Sequence, residues 1–279
     1  MEAFIAAHET AFRFGVFASL LALFAALESV SPKRGRALPR GHRWFTNMGM
    51  VVLSTVLLRA AFPLVAVGAA LWAGERGIGL LNIVDWPGWV ELVVALAFLD
   101  FVIWGQHWTF HHVPLLWRMH RVHHADRDFD VTTALRFHPF EIAVSMGVKM
   151  GAVLVLGPSA AAVILFEVIL NGMALFNHAN LALPGPLDRV LRLFLVTPDM
   201  HRVHHSVIDD EHNRNFGFNL SLWDRLFGTY RAQPRAGHEG MHIGLDAWQD
   251  ERPAKLVWSL LLPFSGLEGG QRASGGQGA

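Results

Sequence analysis

HRVHH stands at residues 120–124 and again at 201–205, and a further pair, His107 and His111, lies just upstream of the first copy. Neutral imidazole is a strong metal ligand, and residues three and four apart share one face of a helix. His120, His123 and His124 therefore present three rings to one point if the segment is helical. His201, His204 and His205 do the same, and His107 with His111 adds two more. Eight ligands in three helical clusters exceed the needs of one ion and suit two, which predicts a dinuclear metal site.

The surrounding chain is apolar. Of 279 residues, 52% are hydrophobic and only 16% charged, with 16 histidines and a formal net charge of zero. Nothing in that balance points to nucleic acid. The chain has no cysteine, so thiolate ligands, disulfides and zinc-finger patterns are excluded and any metal is held by nitrogen and oxygen.

Apolar runs long enough to cross a bilayer are expected at about 12–30, 48–72 (with a kink at Pro63) and 89–104. Two more, at about 142–157 and 159–176, are split by Gly157 and Pro158 and read either as two full spans or as a hairpin that dips in and returns. The N-terminus lacks the basic segment of a signal peptide, so the first run reads as a retained span. Lys33, Arg34, Arg36, Arg40 and Arg43 fill the first loop, and the loop at 73–88 has only Arg76 against Glu75 and Asp85. The first loop is then cytoplasmic and the three histidine clusters lie on that side. The expected fold is all-α: an integral-membrane helical bundle of about four to five spans, with a cytoplasmic helical cap holding the dinuclear site. One domain is expected over 1–264. The segment KLVWSLLLPF (255–264) should lie at the interface or pack on the cap, and the Gly-rich tail, 265–279, should be disordered.

Pro114 reads as the first residue of the helix carrying His120, and Thr197 and Pro198 as the cap and first residue of the helix carrying His201. Asp100, Trp104, His107 and His111 share a stripe, where Asp100 either supports the ligands or makes a hydrogen bond within the bundle. The acidic residues trailing the clusters (Asp126, Asp128, Asp209, Asp210, Glu211) read mainly as a solvated edge. His8, His42, His212 and His242 read as structural. His178 ends an apolar run on a stripe with Glu167 and Asn171 and is taken as a ninth ligand.

With QHWTFH (106–111), LWRMHRVHH (116–124), NHAN (177–180), HRVHH (201–205) and NFGFNLSLWDRLFGTY (215–230) in view, the chain resembles the sterol desaturase and fatty acid hydroxylase superfamily of integral-membrane di-iron proteins. The likeness covers roughly 95–235. It implies that His107, His111, His120, His123, His124, His178, His201, His204 and His205 are the metal-binding and catalytic residues. Ala182 stands where some members have a further histidine, so the tenth position falls to His138, His112 or water, or is absent. The resemblance further implies two iron ions, O2 as co-substrate and hydroxylation or desaturation of a membrane lipid, sterol-like, fatty acyl or related. No cofactor motif is present, so electrons must come from a separate ferredoxin, b-type cytochrome or reductase, with Arg118, Arg121 and Arg202 as candidate docking residues. A bacterial inner membrane is the expected location. A zinc hydrolase lacks its H-E-x-x-H here, and a metal transporter would thread its ionisable groups through the spans rather than cluster them at one face.

Overall fold

The computed structural model describes residues 2–62 and 65–266, with side chains from residue 8 onward. Among these the secondary structure is helical, with no strand beyond isolated bridges. The spans are α1 (Glu2–Val30), α2 (Arg40–Ala61), α3 (Ala66–Glu75), α4 (Gly88–His112), α6 (Pro139–Leu156) and α7 (Ala160–His178), with α5 (Pro114–His124) between the fourth and sixth. Five stretches are long and apolar enough to cross a membrane, and α2 with α3 forms one of them. The run expected at 48–72 is thus two helices rather than one; Pro63 itself lies outside the described residues. The third run continues past Trp104 to His112, so one helix carries both the span and the first histidine pair.

α6 and α7 hold 18 and 19 residues. At 1.5 Å per residue each is about 27 Å long, close to the roughly 30 Å of a hydrocarbon core. Each is therefore long enough to be a full span. Gly157 ends α6 in the left-handed region at φ 71°, and Ser159 caps α7 by accepting from Ala162 N. A Cβ on Gly79 would meet Gly157 Cα at 2.4 Å, so two backbones touch where no side chain fits. α3 and α4 pack on both α6 and α7, α1 on α7 and α2 on α6, around Leu99, Ile103, Val153, Val163 and Phe166.

The cap comprises α5 with its following turn and the chain after α7: α8 (Gly185–Leu191), α9 (Pro198–His204), α10 (Asp209–His212), α11 (Leu222–Leu226), α12 (Gly237–Gly240) and α13 (Leu256–Leu261). Pro114 opens α5, and Thr197 caps α9 through Met200 N with Pro198 at its first turn, both as expected. KLVWSLLLPF packs on the cap: Trp258 meets Trp248 edge-on at 5.3 Å and Leu262 is buried beside Trp117. The tail from 267 lies outside the described residues.

The acidic residues after the first HRVHH are not a solvated edge. Asp126, Asp128 and Asp130 are buried, and Arg43 of α2 donates to Asp126 twice at 2.7 Å and to Asp130 at 2.6 Å. Burial alone would raise the Asp126 carboxyl; Arg43 and then Arg136 overturn that and hold it at about 2. Asp128 accepts from the amides of Ala37 and Leu38, which ties the first loop to the cap. Most cations of that loop are fixed too. Lys33 pairs with Asp199, Arg34 donates to the carbonyls of His238 and Met241, and Arg40 pairs with Glu28. Arg36 stays exposed.

Candidate metal centre

Helical periodicity brings the histidines together, but it does not aim each HRVHH at a single point as the spacing suggests. Nine rings converge into two buried groups in which one ligand atom per residue lies within 4.8 Å of all the others. His107, His111, His120, His124 and His204 form one group, and His123, His178, His201 and His205 the other. Each HRVHH is divided between them: α5 gives His120 and His124 to the first and His123 to the second. α9 and its C-cap give His204 to the first and His201 with His205 to the second.

Fixed oxygens set the direction of several rings. His107 Nδ1 lies 2.8 Å from the Phe216 carbonyl, His178 Nδ1 2.8 Å from that of Ala174, and His204 Nδ1 2.7 Å from that of Arg214. A carbonyl has no proton to give, so each Nδ1 must donate and each Nε2 carries a bare lone pair. Those lone pairs turn inward, and His204 Nε2 is buried without a hydrogen-bond partner. His120 Nδ1 sits 2.6 Å from Glu141 Oε1, and its Nε2 lies 3.1 Å from that of His107. If the His120 Nδ1 donates to the carboxylate, the two Nε2 lone pairs face each other with no proton between them, an arrangement that a cation between the rings would satisfy. His178 Nε2 is likewise 3.2 Å from His123 Nε2 and 3.1 Å from His201 Nε2. Nitrogens bound to one ion at about 2.1 Å in neighbouring positions lie roughly 3 Å apart, so the residues present fit a metal in each group.

The rings are poised as neutral ligands. Burial pushes His120 down to about 3, and burial followed by neighbouring imidazoles pushes His123, His124, His201, His204 and His205 well below the ordinary value. The folded chain therefore takes up fewer protons than the unfolded one. In metal-free protein the stability these groups contribute is complete above about pH 6.5 and lost progressively as pH falls below it. The melting temperature of metal-stripped protein is expected to drop between about pH 7 and pH 5; a flat profile there would show that the rings are not buried.

One orienting residue, and one histidine packed against the first group without belonging to it, escape the sequence. Glu141, buried at the start of α6, orients His120. Replacing Glu141 with Ala is expected to weaken metal retention about 10–100-fold in a chelator competition. Glu141→Gln, which keeps an acceptor oxygen, should lose less, and equal losses would argue against an orienting role. His212, expected to be structural, is buried in α10 with ring centroids 4.4 Å from His124 and 4.8 Å from His111. Burial pushes it down to about 3, and its Nδ1 has no hydrogen-bond partner. His138 and His112 are engaged elsewhere. His138 accepts from Phe140 N to cap α6 and meets the Leu260 carbonyl, and His112 contacts the Trp108 carbonyl and stacks on that indole at 4.0 Å.

Asp100 does not support a ligand: its Oδ2 accepts from Trp223 Nε1 at 2.9 Å and Leu220 N at 3.2 Å, joining α4 to the cap. Glu167 pairs with Lys149 and Arg13, and Asn171 is exposed, so the stripe through His178 is not continuous. Asp209 and Asp210 lie at the surface, whereas Glu211 is buried against Arg231. Arg121 and Arg202 are wholly buried, Arg121 on the carbonyls of Leu262 and Ser265 and Arg202 against Asp199, so neither can face a docking protein.

The block 215–230 closes the site through its backbone. Asn215 adopts φ 56°, and its side chain donates to the carbonyls of Met200 and Arg231. Asp224 accepts from Phe216 N, Gly217 N, Trp104 Nε1 and Thr229 Oγ1 at 2.6–3.1 Å. A Cβ at Gly217 would crowd Leu220 O at 2.8 Å and Asp224 Oδ2 at 2.9 Å. The block thereby aims the Phe216 carbonyl at His107.

Fold and site together define an integral-membrane helical bundle with a buried polyhistidine centre. Residues 92–229 match the family model for fatty acid hydroxylase, and the chain belongs to the sterol desaturase and fatty acid hydroxylase superfamily. It is 31% identical over 152 residues to ornithine lipid hydroxylase OlsE of Rhizobium tropici, covering 54% of this chain and 45% of that protein. It is 33% identical over 139 residues to human alkylglycerol monooxygenase, covering 50% of this chain and 30% of the relative. Delta(7)-sterol 5(6)-desaturase erg3B of Aspergillus fumigatus is 26% identical over 188 residues, covering 64% and 52%. The chain thus spans about half or less of these relatives. No solved structure matches it.

Proposed function

We propose that the chain is an O2-dependent oxidoreductase, a hydroxylase in the first instance or else a desaturase, acting on an unactivated C–H bond of a membrane lipid. The nine histidines would hold two iron ions. The observation that carries this reading is the pair of buried imidazole groups, in which His107, His120, His178 and His204 have their outer nitrogens on fixed oxygens and their Nε2 atoms turned toward neighbouring rings. The names of the relatives, which include a lipid hydroxylase, a monooxygenase and a desaturase, support it.

Bound iron would supply the activation of O2 that C–H oxidation demands. The chain's own residues hold neutral nitrogen ligands in place, with Glu141 and the carbonyls of Phe216, Ala174 and Arg214 fixing tautomer and ring angle. Phe129, Phe137, Phe216 and Phe218 pack around the rings and keep water from them. The two electrons come from a separate donor on the side of the first loop, taken as cytoplasmic, where Arg36 and the half-buried Arg118 remain as contacts.

The test is incubation of iron-reconstituted protein and a chemical or protein reductant with total membrane lipid under 18O2. Hydroxylation adds one 18O atom to a lipid, and desaturation removes two hydrogens and adds no label. Absence of any oxygen-dependent product from iron-loaded protein would overturn the reading.

A further inference from the structure

We propose that the cap carries its own membrane anchor: α8, the loop after it and α11 form one apolar surface that inserts into the lipid leaflet beside α4. Val190, Leu193, Phe194, Leu222, Leu226 and Phe227 are each 50–67% exposed. They come from two segments stitched together by main-chain bonds, Val196 N to Asn219 O and Ser221 N to Phe194 O, so the apolar groups share one surface. Each segment is amphipathic. Asp188 and Arg192 of the first turn inward and pair with each other, and Asp224 of the second turns inward to its four donors. The outward sides are left apolar.

Continuity with the spans identifies the occupant as lipid. The Phe227 ring stacks on Trp104 at 4.5 Å and lies 5.8 Å from Phe101, which is itself exposed on the α4 span. Trp223 is bonded to Asp100 one residue earlier. Phe101 lies about 16 Å along α4 from its end at His112, so α11 is clamped well below the top of a membrane-crossing helix. A surface at that depth meets acyl chains unless protein covers it. Arg189 and Arg225 are exposed at its border, where cationic groups meet anionic headgroups. Apolar side chains flanked by arginine are what an interfacial segment requires.

The absence of cysteine makes the test direct, because single cysteines can be placed at will. Phe194→Cys and Leu226→Cys would carry a nitroxide in full-length protein held at one chain per nanodisc of anionic phospholipid. Val93→Cys, on the exposed face of α4, reports lipid, and Arg235→Cys, 60% exposed on the cap, reports water. The expected result is an O2-to-nickel accessibility ratio at 194 and 226 close to that at 93 and several-fold above that at 235. Ratios matching position 235 would place the surface in water and overturn the proposal. Labels shielded from both reagents would place it against protein and overturn it equally. Neither outcome depends on which reaction the histidine centre performs.

Discussion

Replacing His123 and His204 together with alanine is expected to strip the protein of its metal, from two ions per chain in the parent to a trace. The pair is chosen because it removes one ring from each group. His204 Nε2 is a buried lone pair with its Nδ1 committed to Arg214, so this ring has a single nitrogen to offer and it faces the first group. His123 lies 3.2 Å from His178 across the four-membered group and stacks on Phe137 at 4.3 Å, which fixes its ring plane. Losing a ligand from a group of four costs that site most of its affinity, because few nitrogens remain to share the charge. The measurement is metal content after anaerobic iron reconstitution, beside circular dichroism to show that the helices persist. A variant that keeps both ions would remove the dinuclear centre as an explanation of the histidines.

Asp224→Ala is expected to be the most damaging substitution outside the histidines. Four donors converge on this carboxylate from three parts of the chain, and it is wholly buried. Each buried donor left unpaired costs about 1–3 kcal/mol, so the loss should exceed about 4 kcal/mol, a large part of the total stability of an ordinary domain. The variant should fail to accumulate at growth temperature. Asp224→Asn keeps the volume and one acceptor, and is expected to fold with a lower melting temperature and weaker metal retention, because the amide of Phe216 and hence its carbonyl on His107 are less firmly held. Normal metal retention in Asp224→Asn would sever that link.

The convergence of histidines was legible because an α-helix converts spacing into direction. Three and four apart on one helix suggested a single point for each HRVHH, and could not show that each copy is divided between two groups. His178 followed from its place at the end of a span. What escaped was everything that depends on the chain folding back on itself. Glu141 reaches His120 only because the turn after α5 reverses the chain, and nothing in the spacing between them carries that information. His212 looked like an isolated histidine because α10 is a single turn with no periodicity to read. The acidic residues after His124 looked solvated because their partner, Arg43, lies more than 80 positions away on another helix. The same Arg43 had been counted with the charges that orient the first loop. Hydropathy cannot see a break such as the one between α2 and α3, since both halves are apolar.

Each HRVHH belongs to both groups at once, and this bears on how the centre assembles. A metal held in one group would fix α5 and α9 in place, and the same stretch of helix then presents its remaining rings to the other group. Filling the first position prepares the second, and emptying either loosens both. The two ions should therefore arrive and leave nearly together, with half-filled protein scarce at equilibrium. In that sense the duplicated pentapeptide works less as two ligand sets than as a pair of rungs, each spanning from one metal position to the next.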